Sequence, residues 1–162
     1  MSIELPQIDG LTGSLPSGEF AIVASRYNAS ICDALVDGAI ETLTSAGVAA
    51  DDIVVARVPG AWELPLATKN FLMMPTVVGV VTLGAVIQGE TTHDEHINRA
   101  VSLAIMNLGL ESGKPIGFGL LTCRTLEQAI NRSGGTVGNK GHEAAEAVLE
   151  MLRLGEGLRA PD

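Results

Sequence analysis

The sequence predicts an α/β protein, a three-layer sandwich around a four-stranded parallel sheet, and three observations carry that prediction. Four short apolar runs rich in β-branched residues lack a polar face, as strands buried on both sides do. Each run breaks at a polar or glycine-bearing turn and is followed by a stretch with helical spacing, the pattern of βαβ units. At 162 residues and 46% hydrophobic content, the chain is long and apolar enough for a single domain with a core on each side of a sheet.

In chain order, residues 1–18 hold scattered Pro and Gly and read as an extended arm that needs a neighbouring surface to order it. The first strand is Phe20 to Ser25, ending at Arg26, Tyr27 and Asn28. A helix then runs to about Ala46, with Ile31, Leu35, Ile40 and Leu43 near helical spacing and Gly47 suited to its C-terminal cap. Ile53 to Val58 is the second strand. Trp62 to Met73 reads as a helix that tolerates Pro65 because it lies in the first turn. The third strand begins at Val77 in VVGVVTLGAVIQGETTH and stops before Gly89. Thr92 with Glu95 fits a capping box, which makes His93 the first residue of a helix to Leu110. Ile116 to Thr122 is the fourth strand, and helices Leu126 to Ser133 and His142 to Leu154 close the chain around the loop GGTVGNKG. The domain spans residues 19–156, with a tail at 157–162. Right-handed crossovers give the strand order 2-1-3-4, flavodoxin-like, with a crevice where the order reverses, beside Tyr27 and the Gly89 turn.

Charge and composition narrow the function. Ten Lys and Arg against 19 Asp and Glu give a net charge of −9, which argues against a nucleic-acid partner. No apolar run reaches the roughly 20 residues of a membrane span, and the first residues lack the build of a signal peptide, so a cytoplasmic protein is expected. The apolar content points to interfaces between copies of the chain. Cys32 and Cys123 show no CxxC spacing, so neither a disulfide framework nor a zinc knuckle is expected. HDEH at 93–96 puts two histidines three apart, but no third ligand has a recognisable spacing, and no metal is expected. Nucleotide fingerprints are absent.

Several residues suggest a binding site for a planar, anionic ligand. The chain has only five aromatics, and Tyr27 and Trp62 fall at strand ends, where they serve either as core plugs or as platforms for a flat ring. His93 at a helix start sits beside free backbone N–H groups, a ready anion site. Arg132 and Lys140 bracket the glycine-rich loop. Arg132 reads either as a solvated helix-end residue or as a phosphate fork. Glu63 is either a first-turn acid or a substrate acceptor, and His142 reads as a surface residue.

Four motifs, VPGAWELP at 58–65, TLGAVIQGETTH at 82–93, FGLLTCRTLEQAINRSG at 118–134 and GNKGHEAA at 138–145, closely resemble the lumazine synthase family. The resemblance covers about Phe20 to Leu154. It implies an enzyme of riboflavin biosynthesis that joins 5-amino-6-(D-ribitylamino)uracil to L-3,4-dihydroxy-2-butanone 4-phosphate, giving 6,7-dimethyl-8-ribityllumazine. It implies that Tyr27 stacks on the pyrimidine, that Ala61, Trp62 and Glu63 hold the ribityl chain, and that Ala85, Val86 and Ile87 contact the ring. Glu90, Thr91 and Arg132 match the phosphate site and His93 the proton-transfer residue. Phe118 matches a ring contact, and Lys140 lies in the adjoining motif. Phe118, Arg132 and Lys140 would come from a neighbouring subunit of a pentamer, with an icosahedral shell of pentamers as the expected assembly. Neither a metal nor an organic cofactor is implied.

Two departures bear on that expectation. Members of the family usually carry Arg where this chain has Gln88, and an aromatic residue and Asp where it has Asp94 and Glu95 after His93. One cation fewer and one anion more should weaken phosphate binding. Two rival readings stay open, an archaeal-type riboflavin synthase and a non-catalytic flavin- or lumazine-binding shell protein. The GETTH turn with Arg132 counts against the first, and the retained His93 and Arg132 against the second.

Overall fold

The structure, a computed structural model, describes residues 2–160; Met1 of the expected arm and residues 161 and 162 of the expected tail lie outside the described residues. Its elements in order are β1 (Glu19–Ser25), α1 (Ala29–Ser45), β2 (Ile53–Val58), α2 (Leu64–Leu72), β3 (Val77–Ile87), α3 (His93–Ser112), β4 (Ile116–Cys123), α4 (Leu126–Asn131), β5 (Ser133–Gly135), β6 (Gly138–Asn139) and α5 (Lys140–Arg159). The four long strands form a parallel sheet in the order β2-β1-β3-β4, as the sequence predicts.

Alternation along the strands builds two cores, one on each face of the sheet. Phe20, Ile22 and Ala24 of β1, with Val81, Leu83 and Ala85 of β3, pack on Leu35, Ala39 and Leu43 of α1 and on Val148 and Leu149 of α5. The intervening Ala21, Val23 and Val80 face the other way, onto Leu64 and Leu72 of α2 and Val101 and Ile105 of α3. Close helix approach explains two glycines. A Cβ on Gly117 would lie 2.3 Å from the Ala144 carbonyl oxygen, and one on Gly141 would lie 2.0 Å from that of Leu35. Both positions therefore hold α5 tight against β4 and α1.

Helix ends show where local chemistry matched the expectation and where it did not. At the end of α1, Gly47 has φ 95°; its N–H reaches the Thr44 carbonyl at 3.0 Å and Val48 N–H reaches that of Leu43 at 3.1 Å. That is a Schellman closure, with glycine supplying the left-handed residue. The expected helix from Trp62 begins instead at Leu64, because Ala61–Glu63 winds as a single 3-10 turn. The expected Thr92 capping box does not form. Thr92 sits at φ −85°, ψ 14°, outside the extended conformation that aims a cap side chain back at the helix, and its side chain makes no cap bond. Thr91 Oγ1 accepts the His93 N–H instead, at 3.3 Å.

The last third of the chain departs most. α4 stops at Asn131, and residues Ser133–Gly135 pair with Gly138–Asn139 in a small antiparallel hairpin within the expected loop. α5 starts at Lys140, two residues early, because Asn139 Oδ1 accepts the N–H groups of Gly141 (2.8 Å) and His142 (3.2 Å). It runs through Gly155 and Gly157 to Arg159. His142 is exposed, as expected of a surface residue; its Nδ1 also hydrogen-bonds Thr42 Oγ1, and that hydroxyl donates to the Gly38 carbonyl at 2.8 Å.

One side of the domain remains apolar and open. Leu103, Met106 and Leu110 form an exposed stripe on α3 at helical spacing. Beside them a groove of about 850 Å³ is lined by Ile105, Met106 and Leu110 from α3, Ile116 and Phe118 from β4, and Met151 and Leu158 from α5. β4 is an edge strand, so this groove exposes both apolar side chains and unpaired backbone. No helix among the described residues is long and apolar enough to cross a membrane.

Candidate active site

The carboxyl ends of β1, β2 and β3 and the start of α3 enclose a cavity of about 480 Å³. Parallel topology dictates its place, because every strand of the sheet ends on this side and the order reverses between β1 and β3. Tyr27 is set on the rim by the turn after β1. Its N–H donates to Ser25 Oγ at 3.0 Å. The next residue, Asn28, takes a left-handed conformation (φ 57°), tolerable for a short amide side chain, and its Nδ2 donates to the Ala85 carbonyl on β3 at 2.9 Å. The opposite wall is the turn after β2, which carries Ala61, Trp62 and Glu63 and is closed by Glu63 N–H to the Gly60 carbonyl at 3.3 Å. Ala85, Val86 and Ile87 of β3 make the floor, and Thr91 and His93 the far end.

Both aromatics face solvent across this space, Tyr27 at 71% exposed and Trp62 at 61%. Neither is a core plug. By contrast Phe20 is buried in the α1 and α5 core, and Phe71 packs against the core of α2 and α3. Two ring faces over an aliphatic floor suit a flat heterocycle.

Arg132 and Lys140 stand elsewhere. Together they line a second cavity of about 270 Å³, with Leu120 to Cys123 of β4, Gln128, Val137 and Glu143. Arg132 is the C-terminal cap residue of α4, whose start is fixed by a reciprocal pair. Thr125 Oγ1 accepts the Gln128 N–H at 3.2 Å, and Gln128 Oε1 accepts the Arg124 N–H at 2.8 Å. The hairpin after it is pinned by Lys140 N–H to the Arg132 carbonyl at 2.8 Å. Lys140 Nζ lies 3.3 Å from Glu143, while Arg132 has no ion-pair partner among the described residues. Phe118 lies in the apolar groove between α3 and α5 and Glu90 is exposed on the turn before α3; neither lines the cavity of His93.

Electrostatically the two cavities are opposites. The first carries Glu63, His93 and Asp94 and no Lys or Arg; the second carries Arg132 and Lys140, with Glu143 paired to Lys140. Neither thiol is a nucleophile at neutral pH. Burial pushes Cys32 up to about 11, with Arg57 opposing, and its Sγ–H donates to the Tyr27 carbonyl at 3.2 Å. Burial raises Cys123 too, against the pull of Arg132. Among the described residues, no three His, Cys, Asp or Glu side chains group closely enough to hold a metal ion.

The sequence model of the 6,7-dimethyl-8-ribityllumazine synthase family matches residues 17–156, which is most of the chain. The chain belongs to that family. Among its relatives, the 6,7-dimethyl-8-ribityllumazine synthase of Rhodopirellula baltica is 61% identical over 155 residues, covering 96% of this chain and 100% of its own. Those of Syntrophus aciditrophicus and Aquifex aeolicus are 48% and 45% identical, covering 84% and 86% of this chain and 88% and 91% of their own.

Within this lumazine synthase fold, nine of the expected site residues line one cavity: Tyr27, Ala61, Trp62, Glu63, Ala85, Val86, Ile87, Thr91 and His93. Gly89 and Asp94, which the sequence sets beside the crevice and the phosphate site, line it as well; Pro59, Gly60 and Ile97 also line it and were not expected. Helical geometry could have found one of them, Ile97, which lies four residues after His93 on the same face of α3.

Proposed function

We propose that the protein is a 6,7-dimethyl-8-ribityllumazine synthase, condensing 5-amino-6-(D-ribitylamino)uracil with L-3,4-dihydroxy-2-butanone 4-phosphate in riboflavin biosynthesis. The observation that carries this reading is the gathering of nine residues, scattered from position 27 to 93, around one cavity sized for a substituted pyrimidine. Tyr27 and Trp62 hold the ring and its ribityl substituent, with Glu63 accepting from the chain's hydroxyls. Ala85, Val86 and Ile87 support the ring from below. Glu90 and Thr91 form the turn that receives the phosphate, where the free N–H groups at the start of α3 favour an anion.

The 5-amine attacks the ketone and water leaves to give an imine. Phosphate is then eliminated, and ring closure releases a second water. His93, exposed at the head of α3, transfers protons in these steps, a contribution of roughly 10²–10⁴-fold. Holding the two reactants together supplies much of the remainder. No enzyme nucleophile, metal or organic cofactor takes part.

The cavity of His93 has no Lys or Arg on its wall, so the phosphate's charge is met by Arg132 from another chain, together with Lys140 and Phe118. The edge strand β4 and the open apolar groove provide the contact between chains, which close as a pentamer in the cytoplasm. The hairpin between α4 and α5 is short and free of insertions, which leaves room for pentamers to pack into an icosahedral shell. Light scattering at neutral pH tests the assembly: a particle far larger than two pentamers is expected, and one or two pentamers across buffers would reject the shell. Incubation with both substrates tests the activity, the expected result being green lumazine fluorescence. No product at high enzyme concentration would leave a binding or shell protein in its place.

A further inference from the structure

Ser25 is the last residue of β1 and one of the few polar side chains buried in the domain, at 1% exposed. The sheet holds it firmly. It pairs with Val58 of β2, and the N–H of the next residue, Arg26, donates to the Val58 carbonyl at 2.8 Å. From that fixed base, Ser25 Oγ accepts the Tyr27 N–H at 3.0 Å, closing a hydroxyl-stabilised turn. On the far side of the same residue, the Tyr27 carbonyl accepts from Cys32 Sγ at 3.2 Å, a weaker donor. Asn28 Nδ2 then ties the turn to the Ala85 carbonyl on the cleft floor.

The Tyr27 ring gains little from packing within its own chain, because most of its surface is exposed. Two side-chain torsions separate the ring from its Cα, so its plane follows the backbone that carries it. The bond from Ser25 begins in the rigid sheet and is closed to water at the serine end. We infer that Ser25 is a positioning residue, whose hydroxyl sets the Tyr27 ring against the flat face of the pyrimidine substrate. This inference rests on the proposed reading of the cleft. Without the hydroxyl, the Tyr27 N–H loses its acceptor and the ring ranges over a wider arc, while Thr91 and His93 at the far end of the cleft keep their places.

Trp62 is the only tryptophan of the chain and lines this cavity, which makes binding readable without turnover. The intact assemblies of wild type, Ser25→Ala, Tyr27→Ala and the double variant would be titrated with 5-amino-6-(D-ribitylamino)uracil, following Trp62 fluorescence. Ser25→Ala should weaken pyrimidine binding about fivefold, the share of a well-placed ring contact, and leave the KM for the butanone phosphate near wild type. In the Tyr27→Ala background, the same Ser25→Ala change should add nothing, because no ring remains to be placed. If Ser25→Ala does not assemble, Ser25→Cys keeps the side-chain volume with a poorer acceptor and should show the same selective loss. Unchanged pyrimidine binding, an equal loss in the Tyr27→Ala background, or a loss shared by both substrates overturns the inference. Wild-type binding with the expected coupling but no lumazine formation would sink the proposed activity and leave the role of Ser25 standing.

Discussion

The His93 cleft and the Arg132 shelf are built by the same domain from opposite materials. The cleft has two aromatic faces, an imidazole and two carboxylates, with no Lys or Arg; the shelf has Arg132 and Lys140 against β4 and no aromatic ring. Each alone is chemically incomplete for a reaction between a heterocycle and a phosphate ester. The cleft could stack and protonate a substrate but brings no side-chain cation to its phosphate, while the shelf could hold a phosphate with nothing to react with it. In the proposed pentamer, the apolar surface beside β4 brings one chain's shelf to the next chain's cleft.

The largest effect should come from separating the chains. Met106→Glu with Leu110→Glu places two charges on the open α3 face, where a docked interface would have to bury them at a cost of several kcal/mol each. A folded, smaller particle with activity near background is expected, read by light scattering and lumazine fluorescence. An active monomer would contradict a shared site.

Next comes Arg132→Ala, which should raise the KM for the butanone phosphate by about 10- to 150-fold, the loss of a charge-assisted contact worth about 1.5–3 kcal/mol. A rise confined to the pyrimidine's KM would misplace Arg132. His93→Ala should lower kcat by about tenfold or more with KM values little changed. An unchanged kcat would remove the imidazole from the proton transfers.

The smallest effect concerns stability beneath the cleft. Cys32 is raised to about 11 from 9.0, so the unfolded chain gives up this proton first as pH rises. Its contribution is fully present below pH 9 and is lost between about 9 and 11. Urea midpoints for wild type should therefore fall more steeply over that range than those of Cys32→Ala. Parallel slopes would mean that the thiol is not shielded from water in the folded state.

What the sequence made legible follows the same division. The sheet, its order and the cleft were readable because apolar runs, strand ends and two displaced aromatics are local signals that parallel topology then gathers in one place. Asp94 was read only as an added anion beside the phosphate site, and nothing in its spacing marks it as part of the cleft wall. The shelf was harder. Its Arg132 is held by Thr125 and Gln128 at the far end of a six-residue helix and by a hairpin whose glycines carry no strand signal. The early start of α5 depends on one side chain, Asn139, that also donates to the Ala34 carbonyl on α1, a contact 105 residues away in sequence. Such long-range bonds leave no periodicity to read.

Co-assembly tests the shared site most directly. His93→Ala and Arg132→Ala variants, each weak alone, would be unfolded together, refolded at equal ratio and assayed at limiting butanone phosphate. If each site takes His93 from one chain and Arg132 from its neighbour, random mixing leaves about one quarter of the sites with both native residues, and activity should rise well above the mean of the parents. If both residues served a single chain's site, no mixed particle would contain a complete one, and activity at or below that mean would contradict the account.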